Sequence, residues 1–424
     1  MTDLTDGSPT DRSRAESLDA DDRLASYRNR VVIAADGPLY LDGNSLGRLP
    51  TTTADRLRRA VEQDWGSGLV GSWTHWVEQA TAVGDLIGVQ ILGARRGEVM
   101  VSDSTSVNLF KLAAAALDGR PDRSVIVTDD DNFPTDRYIL TGLASEDRCE
   151  LRTVHTDIDE GIDLDELAAA VDEDVAVVSL SHVAYRSGAL LDLHRATEIT
   201  HAAGALTLWD LSHSAGAVPV NLTAAGADLA VGCTYKYLCG GPGAPAFLYV
   251  RGDLQPRLRQ PICGWFSQRD QFDMGDRYEP DPGIRGFAVG TPSVLATYAV
   301  EEGARLVADA GVEALAAKGA ALTGYLIELA DTWLAPLGFR LASPRDPARR
   351  GAHVTLHHRD AWQICKAMID RGVVPDYRAP ERLRLGPAPL YTRFTDVYDA
   401  MTRIRDLVAT GDHDAYPVDR ARVT

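Results

Sequence analysis

Only four of the 43 basic residues in this 424-residue chain are lysines: Lys111, Lys236, Lys318 and Lys366. Chemistry that needs a primary amine must use one of them. Lys236 stands apart, because it follows the apolar run Leu229-Ala230-Val231-Gly232 and precedes the glycine-rich Cys239-Gly240-Gly241-Pro242-Gly243. An amine held at the carboxyl end of a buried strand, short of water, is lowered in pKa and can act as a Schiff-base nucleophile. The other three lysines fall in helical patterns and read as ordinary surface residues.

Upstream, Asp210 ends the apolar run Leu206-Thr207-Leu208-Trp209. A carboxylate at the carboxyl end of a central α/β strand faces the ligand crevice, where it can keep a proton on a pyridine nitrogen. Taken alone, such an aspartate would be read as a cap for the next turn. His213 can orient that carboxylate or bind a phosphate, or be a satisfied core histidine. In Ser102-Asp103-Ser104-Thr105-Ser106-Val107-Asn108, between a strand and a helix, hydroxyls meet the backbone N–H groups of a helix start, which suits an anion. No Gly-Lys-Ser/Thr follows, so this is not a nucleoside-triphosphate loop. Phe133, in Asp131-Asn132-Phe133-Pro134-Thr135-Asp136, follows another strand and can stack on a flat ring. Arg384 can grip a carboxylate, although the default for any arginine is a surface charge. No metal site is expected, because the five cysteines lack CxxC spacing.

These residues need a scaffold. Short apolar runs at 99–101, 124–127, 175–180, 205–210, 229–232 and 246–250 alternate with helical stretches such as 107–117 and 165–171. Runs of this kind, buried on both faces, indicate a mostly parallel α/β sheet. An Ala-rich helical stretch over 294–334 leads to a smaller α+β unit: strand 353–357, helix 361–371, extended 373–375, strand 382–385 and helix 395–409. Residues 1–30 read as a loose arm with a lead-in helix, and 51–63 as a helix capped by threonine. The expected division is an arm over 1–35, a large domain over 36–300 and a small domain over 301–424.

Composition excludes several classes. The chain is 45% hydrophobic and 25% charged, with net charge −18. That fits a folded protein and disfavours nucleic acid or an anionic membrane as partner. No apolar run reaches the roughly 20 residues of a membrane span. The polar N-terminus lacks a secretory pattern, and few, odd-numbered cysteines point to the cytoplasm.

The order of the parts is phosphate loop, stacking aromatic, strand-end aspartate, lysine before a glycine-rich loop, then a small domain with an arginine. It is the layout of a fold-type-I pyridoxal phosphate enzyme. More specifically, the chain resembles bacterial kynureninases over about residues 36–410. The resemblance rests on Tyr40-Leu41-Asp42-Gly43-Asn44-Ser45-Leu46-Gly47, Phe133-Pro134-Thr135-Asp136, Leu180-Ser181-His182-Val183, Trp209-Asp210-Leu211-Ser212-His213-Ser214-Ala215-Gly216, Tyr235-Lys236-Tyr237-Leu238, Gly264-Trp265-Phe266, Gly290-Thr291 and Pro387-Ala388-Pro389-Leu390-Tyr391.

The resemblance implies a large domain with a mostly parallel seven-stranded sheet and a homodimer with shared active sites. It implies hydrolytic Cβ–Cγ cleavage of L-kynurenine to anthranilate and L-alanine, in tryptophan catabolism. Lys236 would carry the cofactor and move the Cα proton. Asp210 would pair with the ring nitrogen, with His213 beside it. Thr105, Ser106 and Tyr235 would hold the phosphate, with Tyr235 also a general acid. Phe133 would stack on the ring with Asp136 adjoining. Trp265 and Thr291 would reach in from the partner subunit, and Arg384 would bind the substrate carboxylate. The sequence departs from the family pattern at Cys239 and Ala184, where asparagine is usual, and at Ser267-Gln268, where Gly-His is common. Alternatives are a hydrolase for 3-hydroxykynurenine or another γ-oxo amino acid, a cysteine desulfurase-like lyase, and a non-catalytic binding protein.

Overall fold

An unbroken apolar strand must be covered on both faces, and here it is. In the computed structural model, which describes residues 10–145 and 148–419, one sheet has seven strands. In spatial order they are Val99–Ser102, Ala246–Val250, Leu229–Gly232, Leu206–Asp210, Val175–Ser181, Val125–Asp129 and Glu150–Val154. Ala246–Val250 runs antiparallel to both neighbours, and the other pairings are parallel. Alternate residues feed two apolar layers. Met100, Ile126, Leu208, Val231 and Leu248 pack with Leu109 and Leu112 of the helix Thr105–Asp118. Val101, Val127, Trp209, Ala230 and Phe247 pack with Val83 and Ile87 of the helix Trp73–Gln90.

The seventh strand, Glu150–Val154, carries no continuous apolar run. At the sheet edge only Val154 is buried, so an apolar pattern does not announce it.

The C-terminal unit is a four-stranded antiparallel sheet in the order Arg340–Leu341, Val354–His357, Arg382–Leu385, Asp376–Arg378. The helices Ala361–Asp370 and Phe394–Ala409 pack in its apolar cluster.

Two local expectations need correction. The lead-in helix is present, but it is part of the fold rather than a loose arm, and residues 1–9 of the expected arm lie outside the described residues. The helix Arg12–Ala20 docks on the C-terminal unit with Ala15 in its core, and Asp19 caps the distant helix Phe394–Ala409, accepting from Phe394 N at 2.6 Å and Thr395 N at 3.2 Å. Its residues answer partners some 375 positions away, a relation that local pattern cannot carry. The helix expected over 51–63 runs Thr53–Arg59 and then widens into a π turn, Ala60–Trp65, and Thr52 makes no capping hydrogen bond.

Candidate active site

The parallel strands deliver their carboxyl ends to one edge. Asp210 lies opposite Ser181 in register, and Lys236 follows the strand Leu229–Gly232 by a short turn. Lys236 Nζ is 3.0 Å from His213 Nε2 and 5.8 Å from the centre of the Phe133 ring. Phe133 in turn meets Tyr185 edge-on, at 5.3 Å and 87°. The structure thus brings Lys236, His213 and Phe133 together, and both Lys236 and Asp210 act on the charge of Asp136.

Asp210 does two things. Its Oδ1 accepts from Ser212 N at 2.8 Å, the turn-holding role of any strand-end aspartate. Its second oxygen makes no hydrogen bond among the described residues. Asp136, in the first turn of the helix Pro134–Ser145, is 2% exposed, and its Oδ2 has no partner. Burial, followed by the like charge of Asp210, pushes the Asp136 carboxyl well above the usual carboxylate range, while Lys236 pulls it down. Two carboxyls beside one amine, one of them lacking a partner, make a site short of positive charge. A protonated pyridine ring would relieve that shortage.

Tyr235 is half-buried, and burial raises its phenol pKa above the ordinary value. Thr105 and Ser106 open the helix Thr105–Asp118, whose N-cap Ser104 accepts from Val107 N. The anion-favouring end of a 14-residue helix is thus at the mouth of the sheet. Lysine amine, acidic pair, ring-packing phenylalanine and helix N-terminus together fit pyridoxal phosphate.

The lysine-bearing turn is locked by the Asp42–Gly47 segment. Gly47 N donates to Tyr235 O at 2.8 Å. A Cβ on Gly47 would stand 2.2 Å from the Lys236 carbonyl oxygen and 2.7 Å from Cys239 Sγ. Gly47→Ala is therefore expected to displace the lysine turn and cost about 1–3 kcal/mol, seen as a lower denaturant midpoint. An unchanged midpoint would remove this contact from the design of the site. Cys239 itself has φ 53°, a left-handed conformation that asparagine tolerates well. Its thiol is buried and pushed up to about 12, which makes it a packing group.

Several expectations come out differently. Lys111 and Lys318 are not surface residues. Lys111 is 0% exposed and pairs with Asp103 at 2.6 Å, and Lys318 is 9% exposed and pairs with Asp22 at 2.7 Å. Both amines are committed, which leaves Lys236 as the reactive candidate on stronger grounds than position. Arg384 is no surface charge either, at 1% exposed. It pairs with Asp376, donates to Tyr185 O at 2.5 Å and Ser45 Oγ at 2.9 Å, and reaches the Asn44 amide oxygen through Nε at 2.9 Å. To take a carboxylate with two parallel bonds it must release one of these partners.

Trp265 and Thr291 do not join the Lys236 group within this chain. Trp265 is 39% exposed, edge-on to Phe266 at 4.6 Å. Thr291 is exposed and lines a cavity of about 340 Å³ with Ser102, Asp103 and Ser104. Of the departures from the family pattern, Ser267 ties Gly264 O to Tyr278, Gln268 accepts from Glu279 N, and Ala184 lines a separate cavity of about 820 Å³.

The sequence reading missed Asp376, Arg378 and His353. Arg378 pairs with Asp376 at 2.9 Å, and His353 lies beside His213. No motif flags them: Asp376 and Arg378 pair within one three-residue strand, and His353 meets His213 only where the two units touch.

The chain is similar to known proteins over nearly its whole length. Residues 315–404 match the family model described as Kynureninase C-terminal domain. The chain is 43% identical over 407 residues to a kynureninase of Pseudomonas fluorescens, covering 94% of this chain and 96% of that protein. The figures are the same for a kynureninase of Burkholderia pseudomallei (strain K96243). Among solved structures, a cysteine desulfurase from Thermococcus onnurineus NA1 superposes with TM-score 0.76 at 19% identity, over 93% of this chain and 98% of that one. The cysteine desulfurase CsdA from Escherichia coli does so with TM-score 0.78 at 16% identity, over 92% and 98%. These last two likenesses establish the fold alone.

Proposed function

The chain belongs to the kynureninase family, and from that premise we propose which residues carry the reaction and on which substrate. The protein is a pyridoxal phosphate-dependent hydrolase that cleaves the Cβ–Cγ bond of kynurenine, giving an anthranilate and L-alanine. The observation that carries the site assignment is Lys236 Nζ at 3.0 Å from His213 Nε2, with Lys236 and the strand-end Asp210 both acting on the charge of the buried Asp136.

When bound, the cofactor supplies an electron sink for the charge that develops at the substrate Cα. Lys236 anchors it and takes and returns the Cα proton. Asp210 holds a proton on the ring nitrogen, with Asp136 beside it. His213 accepts from the Lys236 nitrogen and keeps it oriented. Phe133 packs against the ring. Thr105, Ser106 and Tyr235 bind the phosphate, helped by the helix N-terminus. Tyr235, its phenol kept protonated by burial, is the general acid that gives a proton to the substrate Cβ as the Cβ–Cγ bond breaks, while Cγ keeps the oxygen of the added water as a carboxylic acid. Arg384 receives the substrate α-carboxylate.

We place the work in a homodimer whose partner contributes Trp265 and Thr291 to the phosphate side. Their exposure supports this, as do the nearby Phe272 at 61% and Met274 at 69%. The domain division at about residue 300, a cytoplasmic setting and a role in tryptophan catabolism belong to the same proposal. The five thiols are all unpaired, which suits a reducing compartment. Among the described residues no helix is long and apolar enough to cross a membrane. The desulfurase reading loses its nucleophile candidate: Cys365 lies inside the helix Ala361–Asp370, 0% exposed, its thiol pushed up to about 12 by burial.

The test is a panel of aryl-keto amino acids assayed for alanine release. We expect kcat/KM for L-kynurenine to exceed that for 3-hydroxykynurenine by about tenfold, the scale of one small group in a binding pocket. A preference for the hydroxylated substrate would overturn that choice. Sulfide release from cysteine with no alanine from either kynurenine would overturn the reaction class.

A further inference from the structure

Lys111 sits in the helix Thr105–Asp118 among Leu109, Leu112 and Ala113, and is 0% exposed. A leucine would fill that place without taking a charge out of water, and a buried ion pair is often worth no more to stability than apolar packing. The amine is better explained by what it holds.

It holds the turn before its own helix. Side chains on a helix lean back toward the N-terminus, and Lys111 Nζ reaches Asp103 Oδ2 at 2.6 Å, Ser102 Oγ at 3.3 Å and Phe287 O at 2.8 Å. Its three protons thus have three acceptors. Ser102 Oγ also donates to Asp103 Oδ2, at 2.6 Å. Asn108, three residues before Lys111 on the same helix face, donates through Nδ2 to Ser102 O at 2.7 Å. Ala246 N, opening the strand Ala246–Val250, donates to Asp103 O at 2.9 Å.

These bonds converge on a residue in an unfavourable conformation. Asp103 has φ 46°, in the left-handed region that few residues other than glycine enter. Such a residue persists only where its surroundings over-determine it. Ser104, Thr105 and Ser106 follow directly. There the first N–H groups of the helix have no carbonyl within it to bond. The direction in which the chain leaves the strand Val99–Ser102 for that helix start is set at Asp103.

We propose that Lys111 is a positioning residue for the cofactor phosphate: it fixes Asp103 in the left-handed conformation and thereby aims the helix start at 104–106 toward the phosphate. Through Phe287 O the same amine anchors the turn to the segment Ile284–Phe287. This rests on the reading of Thr105 and Ser106 as the phosphate site.

The test titrates full-length apoenzyme, resolved from the holoenzyme, with pyridoxal phosphate and separately with pyridoxal, which lacks the phosphate, following absorbance. Lys111→Met is expected to weaken pyridoxal phosphate about tenfold, the scale of one misplaced hydrogen bond to a charged group. Pyridoxal is expected to stay within about twofold. Equal weakening of both ligands, as a general loss of structure would give, overturns the proposal, and so does weakening of neither. Two further variants isolate the conformation. Lys111→Met/Asp103→Gly and Lys111→Met/Asp103→Ala carry the same charge, but only glycine adopts φ 46° freely. The glycine variant is expected to regain most of the lost affinity for pyridoxal phosphate, and the alanine variant to stay about tenfold weak. Equal affinity in the two overturns the proposal. Should Lys111→Met not fold, these two variants, which lack the stranded carboxylate, decide. An unaltered protein that binds pyridoxal as tightly as pyridoxal phosphate overturns instead the phosphate site itself.

Discussion

Lys236→Ala yields a folded protein that no longer turns over kynurenine and no longer links to pyridoxal phosphate in a borohydride-stable form. The expected loss is on the order of 10⁴-fold or more, because nucleophile and proton carrier disappear together. Folding is little affected. Lys236 is half-buried with a single hydrogen-bond partner, His213, so the cost is about 1 kcal/mol. The remaining lysines cannot take over. Lys111 and Lys318 are buried in ion pairs with Asp103 and Asp22, and Lys366 lies over the Trp362 ring at 5.0 Å, in the small unit. Peptide mapping after borohydride reduction checks this. A reduced adduct on any other lysine, or residual turnover near that of the unaltered enzyme, would refute the assignment.

Arg384→Ala has the second large effect, on two observables. Loss of a charge-assisted contact to the substrate carboxylate is expected to raise KM by about 10- to 100-fold, at about 1.5–3 kcal/mol for a hydrogen bond to a charged group. Stability also falls. Removing one member of a buried ion pair costs about 3–5 kcal/mol, and Asp376 keeps Arg378, at 2.9 Å, as compensation, so the lower end is expected. Arg384→Lys restores charge but not the fork that reaches Tyr185 O, Ser45 Oγ and Asp376 at once. It should recover part of the stability and little of the KM. Steady-state kinetics with denaturant unfolding of each variant separate the two effects. A folded Arg384→Ala with unchanged KM would remove this residue from the substrate site.

The fold was legible where burial imposes pattern. Strands such as Val175–Ser181 and Leu206–Asp210 must be apolar throughout because both faces are covered. The edge strand Glu150–Val154, open to solvent, is under no such demand and went unread. Lys236 was legible for a related reason: a strand end followed by glycines leaves few roles for an amine. Lys111 misled, since its place in a helix gave no hint that Asp103 and the Phe287 carbonyl wait at 2.6 and 2.8 Å.

The amino-acid order by itself determined the chemistry: one available amine, a strand-end acid, a helix start for an anion, and a family pattern strong enough to name the reaction. Those are local properties, set by residue type and by the period of secondary structure. Only the tertiary structure decided the company these groups keep. Asp136 is raised by burial and by Asp210, Arg384 is bound to Asp376, Ser45 and the Tyr185 carbonyl, and His353 is set against His213. Each joins segments tens to hundreds of positions apart. Desolvation and Coulomb interaction depend on distance in space, which the spacing along the chain does not encode.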